Sequence, residues 1–564
     1  MKSNKLVVSS ELHSFFKETI TWIYFQLSRK TDSAPHDAIR NVYLDTLKIV
    51  KLQMQRDSSN QWTQYLDLLY RLIGFSRDTY FGLGEQALSY MLLSTLYDVF
   101  PTLAIFAIHQ WVKINDSYSS SRTIGSWRDI KHICFYLKDN SNLGDQHPLI
   151  DICIEIANAQ LKKDMDTWKY SKHFHSNLHI SNVAKHIPRE NSSPKFGWIY
   201  QRFAIHWIRQ YKPYILQTLT GPTSRAKAIS KSKCIYRKQL SFMNKALLTF
   251  QRTKFIDNKP NVQHITPCTV MREPSIFFDG DSTFSKQLLD TCPSLLEHES
   301  ASSYVNGYSY SALPIYHIIK TAFQIVSDES YNLDDPYTSF INSTWEKLLC
   351  TFHKYNSQLS FLPLVDVSDS INTISFFSSI GYAILVSSIS KFSNRFIAVD
   401  IKPTWVSFDG TSCLTEQILH INKSISSMQN GHADFKLGVE LVAHTLTQVN
   451  SSIAFCDDMK LVFFSHFQHT FDSASLQSIF QSYGLLTHPT FVFWNMSLEK
   501  TIHIPCDYAN SRCLLLSGHA TSNIHYLIQY SNKKQSVYDS IVDRLLHDRY
   551  QCFSNYLHRL IATF

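Results

Sequence analysis

Hydrophobic and polar positions change their period near residue 355. Before it, apolar residues recur at three- and four-residue spacing, as in Leu66-Asp-Leu-Leu-Tyr-Arg-Leu-Ile73, Ala87–Leu96, Trp127–Leu137 and His147–Ala157. That period places one apolar stripe against a neighbour, so residues 9–170 are expected to be successive helices with short connections. Gly74–Glu85 is expected to connect two of them, with Gly82 and Gly84 free to take positive φ. Repeated helical hairpins of this kind predict an α-helical (HEAT-like) repeat body.

After residue 355, short apolar runs alternate with helix-length segments. Phe361–Val367, Arg395–Asp400, Lys460–Ser465, Thr490–Trp494 and Cys513–Ser517 read as buried strands. Thr404–Phe408 follows the second strand closely enough to form an antiparallel hairpin at the sheet edge. Ile371–Ser388, Phe435–Val449, Ser475–Tyr483 and an amphipathic stretch after Thr521 read as helices. This order predicts a doubly wound, mostly parallel sheet covered on both faces. The fold class is therefore multidomain, α + α/β. The expected divisions are a helical body at 1–265, a connecting helical and loop segment at 266–354, and an α/β domain at 355–564.

Composition sharpens this picture. Hydrophobic residues make up 44% of the 564 and charged residues 18%, which excludes a disordered chain. Only 15 glycines are present, where average usage of roughly 7% would give about 40, so packed helices are favoured over glycine-rich loops. The 11 cysteines show no C-x-x-C pair and no zinc spacing. Cys153 and Cys513 lie in apolar runs and read as core thiols of a reducing compartment. The start, Met-Lys-Ser-Asn-Lys, has no signal-peptide apolar region. Ser370–Ser390 is uncharged and long enough to cross a bilayer, but its serines and its place after a strand assign it to a buried helix. No membrane span is expected, and the protein is read as cytoplasmic (intracellular) or as part of a virion.

Charge is concentrated. Residues 181–260 hold 16 Lys/Arg against 2 Asp/Glu, a larger excess than the +8 of the whole chain. Arg225, Lys227, Lys231, Lys233, Arg237, Lys238, Lys245, Arg252 and Lys254 form its dense part, with Tyr200, Trp207, Tyr211, Tyr214 and Tyr236 interleaved. Cations that track phosphates beside aromatic faces that stack on bases suit single-stranded or structured RNA. A solvated basic face over core aromatics, or a surface for an acidic protein, is the competing reading.

The candidate chemistry lies at the end of the first strand. Asp366, Ser368 and Ser370 in Phe361-Leu-Pro-Leu-Val-Asp-Val-Ser-Asp-Ser370 supply hard oxygen donors where an α/β sheet places its ligands. Asp-x-Ser-x-Ser in that position resembles the opening of the metal-ion-dependent adhesion site of von Willebrand factor A (vWA) domains. Elsewhere, no phosphate-binding glycine loop, H-E-x-x-H or G-x-S-x-G occurs. His173 with His175, His466 with His469, and Asp457 with Asp458 are the remaining pairs. None has the partners a site would need, and no enzyme is expected.

Ordered landmarks carry a family resemblance over nearly the whole chain. They are Arg77-Asp78 with Gly82-x-Gly-Glu85, Gly125-Ser-Trp-Arg-Asp129, His147-Pro-Leu-Ile150, Ile187-Pro-Arg-Glu190, Phe196-Gly-Trp198, Tyr236-Arg-Lys238, Phe491-Val-Phe-Trp-Asn495 and Leu516-Ser-Gly518. They resemble a family of unknown function (DUF2828) from plants, fungi and large DNA viruses. That family is similar in layout to the TROVE proteins, which include the Ro autoantigen and join a helical-repeat ring to a vWA-like domain. The resemblance implies RNA binding by the helical body and a protein partner for the vWA-like domain. It also implies a Thr and a second Asp in the metal site. Here Ala433 of Gly431-His-Ala-Asp-Phe435 stands for the Thr, and His466 of Phe464-Ser-His466 for the Asp. The site is therefore expected to be degenerate and vestigial, with Asp366 held by Ser368, Ser370 and His466. No cofactor is certain, and Mg2+ or Mn2+ would be held weakly if at all.

Overall fold

Six strands form one sheet: β1 (Phe361–Asp366), β2 (Arg395–Val399), β3 (Thr404–Ser407), β4 (Lys460–Ser465), β5 (Thr490–Asn495) and β6 (Cys513–Ser517). Their spatial order is β3-β2-β1-β4-β5-β6, and every pairing is parallel except β2 with β3. The chain leaves β1 for β2 on one side and for β4 on the other, so β1 and β4 flank the point where the strand order reverses. Leu364 sits opposite Ile397 on β2 and Phe463 on β4. Both faces are covered, so β1, β4 and β6 are apolar runs rather than alternating ones.

This computed structural model describes the chain except for residues 114–122, 175–179, 216–221, 248–266, 279–314, 353–358, 369–372, 427–430, 450–452 and 468–471, and positions 1, 32, 58–59, 192–193, 273, 329–330, 393, 531–532 and 563–564. Most of the described residues are helical, around the one mostly parallel sheet, which is the expected α + α/β class.

The helices before the sheet include α1 (Lys2–Gln26), α2 (Ser33–Arg56), α3 (Asn60–Arg77), α4 (Ala87–Val99), α5 (Pro101–Val112), α6 (Trp127–Asn140), α7 (Pro148–Phe174), α8 (Val183–His186), α9 (Pro194–Tyr211), α10 (Pro222–Ala246), α11 (Ile315–Val326) and α12 (Pro336–Cys350). Those within and after it include α13 (Ile374–Ser388), α14 (Leu414–Ser426), α15 (Phe435–Gln448), α16 (Ser473–Ser482), α17 (Ser522–Tyr530), α18 (Val537–Leu545) and α19 (Gln551–Ala562). Every strand and helix expected after residue 355 is present. The periodicity missed α14 and read one amphipathic stretch where α17, α18 and α19 follow. Gly74 belongs to α3 rather than to a connection, and a Cβ there would lie 2.6 Å from the Phe553 ring. Of the two loop glycines, Gly84 takes φ +65°, and Gly82 is there because its backbone approaches the Phe75 carbonyl.

The chain forms two compact units, Met1–Leu88 with Ile265–His558, and Ser89–His264 with Arg559–Phe564. The first three helices thus belong to the unit that contains the sheet, not to a separate helical body ending near residue 265. The ties are buried and polar. Asp78, fully buried, accepts from Arg549 Nε (2.5 Å) and Nη2 (3.0 Å) and from the Tyr550 hydroxyl (3.1 Å). Arg71 donates to Asp67 (2.9 Å), to Ser554 (2.7 Å) and to Gln551 (3.0 Å). A lone buried charge would cost several kcal/mol, so these partners hold the two ends of the chain in one unit.

Two helices inside the stretch read as a connector also join this unit. α11 packs against α13, where a Cβ on Gly381 would lie 2.3 Å from Ile315 Cγ2. Asp335, in the Asn332–Pro336 turn, caps α12 by accepting from the Tyr337 and Thr338 amides at 3.0 Å each. α13 is the uncharged segment after β1. It has 15 residues, its positions from Ser375 to Ser387 are all buried, and no helix among the described residues is long and apolar enough to cross a membrane. Cys153 and Cys513 are buried as expected.

Candidate functional site

Asp366 ends β1 at the reversal point, and its carboxylate is engaged on both oxygens. Oδ1 accepts from the Ser368 amide (3.1 Å) and hydroxyl (2.5 Å). Oδ2 accepts from Ser465 Oγ (2.8 Å), at the end of neighbouring β4. Ser465 Oγ in turn accepts from the Phe467 amide (2.9 Å), which fixes a residue at φ +48°. Sequence reasoning assigned the holding role to Ser368, Ser370 and His466. Ser368 has it, Ser465 shares it, and Ser370 lies outside the described residues. The signal was present in Phe464-Ser-His466, because the serine before the histidine ends the adjacent strand.

The other loops supply few oxygen donors. Ala433 offers no side-chain donor at all. Asp434 caps α15, accepting from the Lys436 (2.9 Å) and Leu437 (3.3 Å) amides, so it is turned onto the helix. Asp400, buried at the end of β2, accepts from the Gly431 amide (3.0 Å). Among the described residues, no three His, Cys, Asp or Glu side chains gather as metal ligands. A hard divalent cation wants six or more oxygens, some of them from water, and of the described side chains at the β1 and β4 ends Asp366, Ser368 and Ser465 offer oxygens that are bonded to one another. Together they tie two strand ends.

The β5 and β6 ends hold the chain's own first helix. Asn495 Nδ2 (2.6 Å) and Ser517 Oγ (2.9 Å) both donate to the Phe25 carbonyl, an acceptor in the last turn of α1. Gln26 exchanges two bonds with Ile502, donating to its carbonyl (2.8 Å) and accepting from its amide (3.0 Å). Lys30 donates to the Ser497 (2.9 Å) and Lys500 (2.8 Å) carbonyls, and burial pushes its ammonium pKa down to about 7. Arg29 pairs with Glu85 at 3.3 Å. His519, just beyond β6, is kept neutral by burial and by the nearby Arg29, and its Nδ1 meets Ser378 Oγ at 2.9 Å.

The landmark residues thus have structural work. Asp78 and Glu85 tie the helices of 1–88 to their own unit, and Asn495 and Ser517 hold α1. In the other unit, Asp129 closes the capping box of α6. It accepts from the Ser126 amide (2.7 Å) and the Tyr90 hydroxyl (2.5 Å). Asp457 and Asp458 lie at the opposite end of the sheet from Asp366. Arg512 holds Asp457, and Ser360 with Lys460 and Lys391 holds Asp458, and both carboxyls stay below their ordinary range. His173 lies in α7, and His175 lies outside the described residues.

The basic segment folds into α10. Lys227, Lys231, Lys238 and Lys245 are all exposed and recur at four, seven and seven residues, which is one stripe at 3.6 residues per turn. Opposite them, Ala228, Ser232, Tyr236, Leu240 and Met243 are buried. Arg225 and Arg237 are also exposed, and Lys233 shares Glu190 with Arg237, at 3.4 and 3.6 Å. Arg252 and Lys254 lie outside the described residues. Of the interleaved aromatics, Tyr200, Trp207 and Tyr236 are buried, Tyr211 is half-buried and Tyr214 is 62% exposed, and Phe242, 41% exposed, lies on α10 between Lys238 and Lys245. An open cleft of about 320 Å³, lined in part by Arg189, Glu190, Arg237 and Asn244, runs beside the helix.

No family model matches the chain, and no curated protein matches it in sequence. The fold and site together define an α/β protein with a hydrogen-bonded carboxylate at its strand-order reversal and a separate helical unit that bears a lysine stripe.

Proposed function

We propose that this chain is a non-catalytic RNA-binding protein of ribonucleoprotein type, related to the DUF2828 family, with an α-helical-repeat body and a vWA-like α/β domain whose adhesion site is degenerate. The strand order with its antiparallel edge strand, and Asp366 at the reversal point, support the vWA-like reading. The occupied oxygens of Asp366 support the degeneracy. One observation carries the RNA assignment: the exposed stripe of Lys227, Lys231, Lys238 and Lys245 along α10, backed by a buried face, so that its cations are free to meet phosphates. Binding of nuclease-treated protein to a labelled single-stranded RNA across a salt series tests it. Affinity falling linearly in log salt, with a slope of several phosphates, is expected. Weak binding at low salt would overturn the assignment.

The burial of Tyr200, Trp207 and Tyr236 favours a second reading. A lysine stripe with few open rings also suits an acidic protein, making the chain a scaffold or a component of a virus particle. A partner retained in high salt would select that reading.

A further inference from the structure

Cations also gather on a second face of the Ser89–His264 unit, one that the α10 assignment leaves unused. Arg128, Lys131 and Lys138 project from α6, Lys185 from α8, and Lys195 from the start of α9. Three half-buried rings sit among them: Phe135 on α6, and Phe196 and Trp198 on α9. Lys195 Nζ lies 4.2 Å from the Phe135 ring centre and 5.6 Å from that of Phe196. Lys131 lies 5.2 Å from Phe196, and Lys138 lies 5.0 Å from Trp198. Phe135 and Phe196 meet at 5.7 Å, and Trp198 Nε1 donates to the Lys195 carbonyl at 3.2 Å.

Two histidines register the field of this cluster. Both are depressed first by burial, His132 to about 4 with Arg128, Lys131 and Lys195 adding to it, and His186 to about 3 with Lys185, Lys131 and Arg128 adding to it. Asp129 opposes them, but its carboxylate is committed to Ser126 and Tyr90 inside the unit. Asp139 stands at the rim beside Lys138.

We infer that this α6–α9 face is where unpaired bases of single-stranded RNA dock, with Phe135, Phe196 and Trp198 as stacking rings and Arg128, Lys131, Lys138, Lys185 and Lys195 on the flanking phosphates. The inference rests on the RNA reading and deepens it by naming the strand class. Every base has a π-face, so stacking on these rings is sequence-tolerant, whereas the bases of a duplex are stacked on each other and cannot reach them. A base that stacks on one of these rings displaces the lysine from its face, and the released ammonium pairs with the flanking phosphate. The α10 stripe carries one exposed ring, Phe242, and supplies mainly charge.

Fluorescence anisotropy of the full chain with three probes tests this: an unstructured RNA 12-mer, the same backbone without bases, and the matching duplex. Lys131→Glu with Lys195→Glu is expected to weaken the 12-mer about ten-fold or more and to lower the salt slope by about 1.4, two phosphates at roughly 0.7 each. Trp198→Ala is expected to weaken the 12-mer about five-fold or more while leaving the abasic strand unchanged. Because Phe196 and Phe135 support the fold, the two lysines and Trp198 are the sites to change, with melting temperature as the check. An abasic strand bound as tightly as the 12-mer, or a duplex held equally well, would overturn the stacking role. Wild-type affinity in these variants, with binding lost on charge reversal in α10, would overturn the face and leave the RNA reading standing. No binding of any probe would end both.

Discussion

The side-chain amide of Asn495 donates to the carbonyl of Phe25 at 2.6 Å, joining the end of β5 to a helix 470 residues earlier in the chain. The same side chain accepts from the Ser497 amide at 2.8 Å. With Ser517 and Gln26 it makes the first helix part of the sheet-bearing unit.

Asn495→Leu keeps the volume and removes both bonds. The Ser497 amide then loses its acceptor in a buried place, at about 1–3 kcal/mol, while the Phe25 carbonyl keeps Ser517 Oγ. Urea unfolding is expected to show that loss, and hydrogen exchange to show earlier opening of residues 11–30 than of β4. Equal protection of both segments in the variant would refute the anchoring role.

Charge reversal of Lys227, Lys231, Lys238 and Lys245 touches no buried group, so the melting temperature is expected to stay within about 2 °C of wild type. RNA affinity is expected to fall, with the log–log salt slope reduced by roughly 0.7 for each phosphate that is no longer neutralised. An unchanged slope in the folded variant would remove α10 from the interface.

Asp366→Ala leaves the Ser465 and Ser368 donors without their acceptor, which is expected to cost about 1–3 kcal/mol in denaturant. Addition of 1 mM Mn2+ is expected to leave the wild-type transition in place, because a dissociation constant weaker than about 10 mM stabilises by less than about 0.1 kcal/mol. A Mn2+-dependent rise that vanishes in Asp366→Ala would reveal a working cation site.

Lys30 gives the fold a pH signature. Its pKa is about 7 in the folded chain and about 10.4 in an unfolded one. Between those values the unfolded chain holds the extra proton, so stability rises with pH, by up to about 1.4 kcal/mol per unit. Below pH 7 both states are protonated and the contribution is flat. The stability difference between wild type and Lys30→Met is therefore expected to grow in favour of wild type from pH 7 to 10 and to be constant from 5 to 6.5. A constant difference throughout would show that Lys30 stays charged.

Gly381 marks a close helix contact. In Gly381→Ala the new methyl would meet Ile315 Cγ2 at 2.3 Å and Ile319 Cγ1 at 2.8 Å. Both belong to β-branched side chains with little room to turn, and thermal unfolding is expected to report about 1–3 kcal/mol of overpacking. A neutral effect would mean that α11 can slide on α13.

The sequence by itself determined the strands and most of the helices. Buried parallel strands must be apolar along their whole length, so β1, β4 and β6 stood out as uninterrupted runs, and β3 followed from its closeness to β2. Asp366 was legible for the same reason: a polar residue directly after such a run falls at the strand's end. Only the tertiary structure decided which residues share a unit and which partners a polar side chain finds. Asp78 meets Arg549 across 471 positions, and Ser465 meets Asp366 across 99. No local period encodes such pairs, because they depend on how the strands are ordered and where the chain ends return. The aromatics of the basic segment show the same limit. Charge density was readable, but whether Trp207 and Tyr236 faced bases or the core depended on which side of each helix its neighbours covered.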